Sequence, residues 1–235
     1  ALLFHLQPTR AIVNDINEEL INMYEVIRDD IDLLIAELSN HKNDPEYFYS
    51  LRNLDRDKKS YEKLSKIRKA SRLIYLNKTC YNGLFRVNSS GEFNTPFGYY
   101  KNPNIVNEPV LRAVSIYFNN AKIEFSSRNY TEMTSRLTSG TFVYLDPPYD
   151  PISSSSCFTG YNVGGFGREQ QIELKLFCDD LNSRGIKFLL SNSATDFIKE
   201  QYRDYFIITV QAKRSINSIS SKRGEIDEVL IRNYE

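Results

Sequence analysis

The chain has 235 residues, enough for one large domain or two small ones, and 41% of them are hydrophobic, enough for a core. Its 30 basic and 30 acidic residues cancel, which excludes a uniformly basic surface. The zero conceals segregation: residues 1–40 carry 2 basic and 8 acidic side chains, residues 41–114 carry 14 and 7, and residues 115–235 carry 14 and 15. A basic middle segment of this kind can face a polyanion, although a Lys/Arg-rich helix by itself is more often a solvated surface. No run approaches transmembrane length. Cys80, Cys157 and Cys178 are far apart, odd in number and without metal spacing, so a reducing, cytoplasmic setting is expected.

RAIVNDIN (10–17) reads as a short buried strand ending in Asp15, and residues 18–38 read as a helix. Residues 46–54 and 61–77 also carry helical patterns, the second basic on one face through Lys63, Lys66, Arg68, Lys69 and Arg72. In residues 81–98, FRVN and EFNTPF flank Ser89-Ser90-Gly91, which predicts a hairpin. A helix follows over 108–119. Strands are expected at KIEFS (122–126) and TFVYLD (141–146), and a loop at 153–165. A helix over 168–184 closes at Gly185. KFLLSNS (187–193) is a strand and 194–202 a helix; YFIITVQA (205–212) and EVLIRNY (228–234) lack a helix between them and so predict an antiparallel pair. The pattern is an open α/β sheet with an inserted basic module over 41 to about 114.

Ligands of such sheets sit beyond the carboxyl ends of the strands. Asp15, Asp146 and Ser191-Asn192 all fall there. TFVYLDPPYDP (141–151) is the most pointed case: strand formers run into Asp146, and Pro147 and Pro148 forbid further ladder pairing. Asp146 and Tyr149 then project from a rigid turn. An ordinary turn would look the same in isolation; the convergence with Asp15 and Ser191-Asn192 favours a site.

The order and spacing of NDINEELINMY (14–24), NKTCYNGLFRVNSSGEFNTPFGYYKNP (77–103), LDPPYDP (145–151), FTGY (158–161), FLLSNS (188–193) and SSKRGEIDEVLI (220–231) resemble Dam-type, GATC-recognising DNA adenine-N6 methyltransferases. The block at 81–103 is the most specific; D-P-P-Y also occurs in other amino-group methyltransferases. The resemblance implies a Rossmann-like, S-adenosylmethionine-dependent methyltransferase sheet (1–40 and 115–235) with an inserted helical and hairpin target-recognition domain (41–114). It implies duplex DNA as the partner, a monomer, a prokaryotic or phage-encoded cytoplasmic enzyme, and a cognate restriction endonuclease where the system carries one. No membrane and no metal are implied.

By the same resemblance, Asp146, Pro147, Pro148 and Tyr149 form the catalytic turn. The Asp146 carboxylate and the Pro147 carbonyl would accept the two N–H groups of the adenine amine, so catalysis rests on positioning and electrostatics. Tyr149 would stack on a flipped base, with Phe158 and Tyr161 closing its pocket; loop aromatics packing on the domain is the alternative for those two. Asp15, with Ile16 beside it, would hold the cofactor ribose. A helix cap from Asp15 or Asn17 ahead of Glu18–Arg28 is compatible with that. Asn129 stands where the family often has an acid near the cofactor adenine; a plain loop residue is the alternative.

Arg86 and Asn82 are the expected base readers, since Arg pairs well with guanine acceptors in the major groove. Tyr81 and Asn82 would enter the duplex beside the flipped adenine, while Leu84 and Pro96 meet thymine methyls. Leu84 could instead be hairpin core, and for Phe85 that reading is preferred. Lys78, Lys101 and the basic helix would hold phosphates, as would Ser220, Lys222 and Arg223 in the late loop. His5 and His41 lack companions at ligand spacing, and Cys157 lacks the partners of a thiol nucleophile. The family's glycine-rich F-x-G-x-G loop is not seen, which predicts an N-terminally truncated enzyme lacking the first strand and binding cofactor weakly. The competing readings are a DNA-binding module without catalysis and an amino-group methyltransferase of another nucleic acid.

Overall fold

The computed structural model describes residues 2–152, 165–213 and 225–235, and the chain divides into two compact units, Ala1–Glu132 and Met133–Glu235. Both are α/β, each with its own sheet; the single open sheet expected from the sequence is hydrogen-bonded as two.

In the first unit a short helix, Leu2–Leu6 (α1), precedes Arg10–Asn14 (β1). β1 pairs in parallel with Lys122–Ser126 (β2), Asn14 opposite Ser126. Parallel neighbours need a crossover, and residues 15–121 supply it. Asn17 caps the helix Glu18–Asp29 (α2): its side chain accepts the Glu19 and Leu20 N–H groups. The single helix predicted over 18–38 is broken at Asp30 (φ −132°, ψ 38°) and resumes as Ile31–Ser39 (α3). Aspartate is a poor helix-interior residue because its carboxylate competes for nearby backbone groups, and two stand here in succession.

Pro45–Arg52 (α4) begins with Pro45 at its first position and Asp44 accepting the Tyr47 N–H. Lys58–Glu62 (α5) is separate from Lys66–Thr79 (α6), whose cap Ser65 interrupts the helix expected over 61–77. Glu108–Asn120 (α7) leads back to β2. One core joins Val26 and Ile27 of α2, Leu34 and Leu38 of α3, Ala70 and Ile74 of α6, Phe118 of α7 and Ile123 of β2. A second joins Phe48 of α4 and Tyr75, Leu76 and Cys80 at the end of α6 to Phe93 and Phe97.

The predicted hairpin over 81–98 is an antiparallel loop held by isolated bridges, Cys80 with Phe97 and Val87 with Phe93, instead of a continuous ladder. Its tip closes where Asn88 accepts the Ser90 and Glu92 N–H groups. A single 3-10 turn, Tyr81–Gly83, stops the pairing, because Asn82 (φ 54°) and Gly83 (φ 63°) are both left-handed.

In the second unit, Phe142–Leu145 (β3), Lys187–Ser193 (β4), Phe206–Lys213 (β5) and Glu225–Arg232 (β6) form a mixed sheet of order β3-β4-β6-β5. β3 and β4 are parallel, and β6 runs antiparallel to both β4 and β5. The expected β5–β6 antiparallel pair is present. Arg168–Ser183 (α8) packs on β4 and ends in a left-handed Gly185, with Gly185 N–H bonded to Asn182 O and Ile186 N–H to Leu181 O. Thr195 caps Asp196–Gln201 (α9).

Candidate functional site

β3 and β4 run side by side with Leu145 opposite Leu190, so Asp146 leaves the sheet next to Ser191. Ser191 Oγ donates to Asp146 Oδ1 at 2.8 Å, orienting an exposed carboxylate. Burial pushes the Tyr149 phenol up to about 12, and the acids Asp146 and Glu228 add to the effect against an opposing bond to Ser191. Tyr149 is therefore a neutral ring at physiological pH, suited to stacking.

The rest of the turn is braced from beneath. Gln171 of α8 donates through Nε2 to the Pro148 carbonyl at 2.8 Å, and its Oε1 accepts from Asn192 Nδ2 at 3.0 Å. Asn192 Oδ1 accepts the Asp150 N–H at 3.0 Å and the Ser193 N–H at 2.8 Å. Ser193 Oγ donates to the Asp150 carbonyl, and Thr195 Oγ1 to Asp150 Oδ2, both at 2.7 Å. Asp150, Gln171, Asn192 and Ser193 are all buried. Directional bonds among buried polar groups fix geometry as well as satisfying atoms that would be costly unpaired. A cavity of about 480 Å³ beside Asp150 is lined by Arg168, Thr195, Asp196, Phe197 and Asp227, and includes neither Asp146 nor Tyr149.

Within the first unit, Asp15 and Asn129 follow the ends of β1 and β2. Asp15 N–H bonds to Ser126 O, and the Asn14 amide grips Arg128 at both N–H and C=O. Asp15 Oδ1 accepts the Asn17 N–H at 2.8 Å, so the helix cap proper is Asn17. Burial raises the Asp15 pKa, opposed by that backbone bond. A half-buried carboxylate raised in this way gains from hydroxyl donors. Ile16 is exposed beside it. Asn129 Oδ1 accepts from Thr131 N–H and Oγ1, a local turn closure.

The residues expected to read bases share the 81–98 segment. Asn94 N–H bonds to Arg86 O at 2.7 Å, and the exposed Arg86 guanidinium donates to Asn94 O at 3.1 Å. Tyr81 and Pro96 are exposed and joined by Tyr81 N–H to Pro96 O. Leu84 is half-buried, its carbonyl accepting from Thr95 Oγ1. Phe85 packs on the second core and edge-to-face on Phe93. Asn77 Nδ2 ties α6 to the Gly83 carbonyl beside left-handed Asn82. Lys78 and Lys101 are exposed.

Arg72 departs from the expected basic face. It is 2% exposed and pairs with Asp55 at 2.8 Å, so it is a structural charge and not a phosphate contact. Periodicity counts Arg72 with its basic neighbours because it carries no information on what lies across the helix. Asn192 is expected at the strand end, but nothing in the sequence marks Gln171 and Asp150 as its partners; the sign of the group is three polar residues closing an otherwise apolar strand in FLLSNS. Phe158, Tyr161, Cys157, Ser220, Lys222 and Arg223 lie outside the described residues. Among the described residues, burial pushes the Cys80 thiol up to about 11 and the Cys178 thiol up to about 12, leaving both inert at neutral pH. Among them too, no group of three or more His, Cys, Asp or Glu could hold a metal, and no helix is long and apolar enough to cross a membrane.

A family profile described as D12 class N6 adenine-specific DNA methyltransferase matches residues 1–216. The chain belongs to that family. It is 41% identical over 236 residues to the type II methyltransferase M1.LlaDCHI of Lactococcus lactis subsp. cremoris, covering all of this chain and 83% of that protein. It is 39% identical over 249 residues to the type II methyltransferase M.MjaIII of Methanocaldococcus jannaschii, covering all of this chain and 85% of that protein. The DNA adenine methylase of Escherichia coli K12 is 33% identical over 229 residues, 94% of this chain and 78% of that protein. As a D12-class chain, it is an adenine-specific DNA methyltransferase by family.

Proposed function

We propose that the chain moves a methyl group from S-adenosylmethionine to the exocyclic amine of an adenine flipped out of duplex DNA, in the sequence GATC. The observation that carries the reading is Asp146: an exposed carboxylate at a strand end, oriented by Ser191, on a turn held at Pro148 and Asp150 by buried bonds. The adenine amine is a weak nucleophile because its lone pair is delocalised into the ring. Asp146 and the Pro147 carbonyl accept hydrogen bonds from its two N–H groups and favour a pyramidal nitrogen, with Pro147 and Pro148 fixing the backbone; the N–C bond would form as the donor's S–C bond breaks, and one amine proton would leave to water. Gln171 engages the Pro148 carbonyl and not that of Pro147. Tyr149 stacks on the flipped base, and Phe158 and Tyr161 close over it.

S-adenosylmethionine supplies a methyl made electrophilic by its sulfonium. The half-buried Asp15 carboxylate, with one oxygen on the Asn17 N–H, suits a ribose hydroxyl pair; Ile16 and Asn129 line the same strand ends. In this reading residues 1–40 and 115–235 make a Rossmann-like catalytic domain and 41–114 a target-recognition domain. Arg86 and Asn82 read bases, Tyr81, Leu84 and Pro96 contact them, and Lys78, Lys101, Ser220, Lys222 and Arg223 hold backbone. The GATC assignment rests on the YNGLFRVN…GEFNTPFGYYKNP block. The names of the type II relatives support a place beside a cognate restriction endonuclease.

The test is transfer of label from S-adenosylmethionine to a GATC duplex and a scrambled duplex. Label on adenine N6 in the GATC duplex alone is the expected result. Label on cytosine, equal label on both duplexes, or binding of the GATC duplex without transfer overturns the reading.

A further inference from the structure

The segment carrying Arg86 has two isolated bridges and no ladder, so something else must fix its register. A charged cluster does so. The Asp55 carboxylate accepts the Phe93 N–H at 2.8 Å and Arg72 Nη2 at 2.8 Å, and is bonded to the Arg56 guanidinium. Arg56 Nη2 donates to the Phe93 carbonyl at 2.8 Å, and its Nε lies 3.5 Å from the Glu92 carboxylate. Both backbone groups of Phe93 are therefore held by charged side chains.

The cluster is itself anchored. Arg72 donates to the Leu51 and Arg52 carbonyls at 2.8 Å each and to Tyr61 Oη at 3.1 Å. Tyr61 and Arg72 also meet ring against guanidinium at 4.9 Å. Phe93 bridges Val87, and the next residue, Asn94, exchanges bonds with Arg86 through both its N–H and its C=O. Three links thus separate the half-buried Asp55–Arg56 pair from the guanidinium: Asp55 or Arg56 to Phe93, Phe93 to Asn94, Asn94 to Arg86. A largely desolvated ion cluster adds little net stability over apolar packing of the same volume. What it does supply is direction, and a one-residue slip of this strand would turn Asn94 away from Arg86.

We propose that Asp55 and Arg56 are positioning residues for sequence discrimination, setting the aim of Arg86 by gripping the Phe93 peptide. The proposal rests on the reading of Arg86 as a base reader, and the two are tested apart. The measured quantity is the ratio of dissociation constants for a GATC duplex and one with the guanine replaced, at a single fixed salt concentration. Arg86→Ala should cut that ratio by about tenfold or more. Arg56→Gln removes the grip on the Phe93 carbonyl while leaving the Asp55–Arg72 pair, and should cut it by about three- to tenfold. The double variant should be no worse than Arg86→Ala alone. Asp55→Asn should act in the same direction, but it takes from the buried Arg72 its nearest carboxylate and leaves only Glu19 at 3.8 Å, so its result counts only if its thermal transition remains cooperative; Arg56→Gln carries the test. A wild-type ratio in Arg56→Gln, a uniform weakening on both duplexes with the ratio kept, or full additivity with Arg86→Ala overturns the proposal. An unchanged ratio in Arg86→Ala, or no preference in the wild type, overturns the reader assignment and this inference with it.

Discussion

The turn after β3 and the 81–98 segment solve the same problem with different chemistry. Each presents exposed residues on a backbone that must not move. The turn is braced chiefly by amides and hydroxyls, Gln171, Asn192, Ser193 and Thr195, around the single buried carboxylate of Asp150. The segment is braced by full charges, Asp55, Arg56 and Arg72. The difference follows from what each inherits. The turn grows directly from a strand paired with β4 and has two fixed proline φ angles, so short neutral bonds suffice. The segment inherits no ladder, and long side chains with strong, charge-assisted bonds span the gap to α6.

The comparison is most easily broken at the turn. Asp146→Ala should lower methyl transfer about 10³-fold with specific DNA binding retained; equal loss of both, in single-turnover and binding assays, would remove Asp146 from its role. At the other mount, Arg72→Ala should cost about 3–5 kcal/mol of stability, because it empties a buried site, strips the Leu51 and Arg52 carbonyls of their donor and takes one of two arginines from Asp55. Denaturant unfolding checks this, and a loss under about 1 kcal/mol would mean the cluster is dispensable. Gln171→Leu should lower kcat about tenfold with KM for DNA little changed, since it frees the Pro148 carbonyl without touching substrate; a rise in KM alone would contradict the bracing role.

The smallest effect is on pH. His41 lies 2.7 Å from Tyr47 Oη and 2.8 Å from Ser71 Oγ, and burial lowers its pKa from 6.5 against the opposing influence of Glu37 and the Ser71 bond. A folded pKa below the unfolded one means that this histidine's contribution is complete above pH 6.5 and is lost as pH falls through the lowered folded value. The melting temperature of the wild type should therefore decline on acidification below that point more than that of His41→Gln. Parallel profiles would show that other groups dominate.

Much of this was legible in the sequence because it is local. The β3 strand ending in two prolines, the helix closed by Gly185, and the β5–β6 pairing follow from alternation, turn chemistry and connection length. The break at Asp30 was not legible, because the apolar spacing runs through it unaltered. The antiparallel insertion of β6 between β4 and β5 was not, since strand order is a long-range choice. Arg72 and Gln171 were hidden for one reason: each is a polar residue on a helix, which periodicity assigns to solvent, and each is buried by a partner far along the chain, Asp55 and Leu51 for one and Pro148 and Asn192 for the other.

The grip on Phe93 is made on its main-chain N–H and carbonyl. Such a grip does not consult which side chains stand at positions 86, 94 or 96. If Arg86 and Pro96 meet bases as proposed, their replacement leaves the anchorage intact.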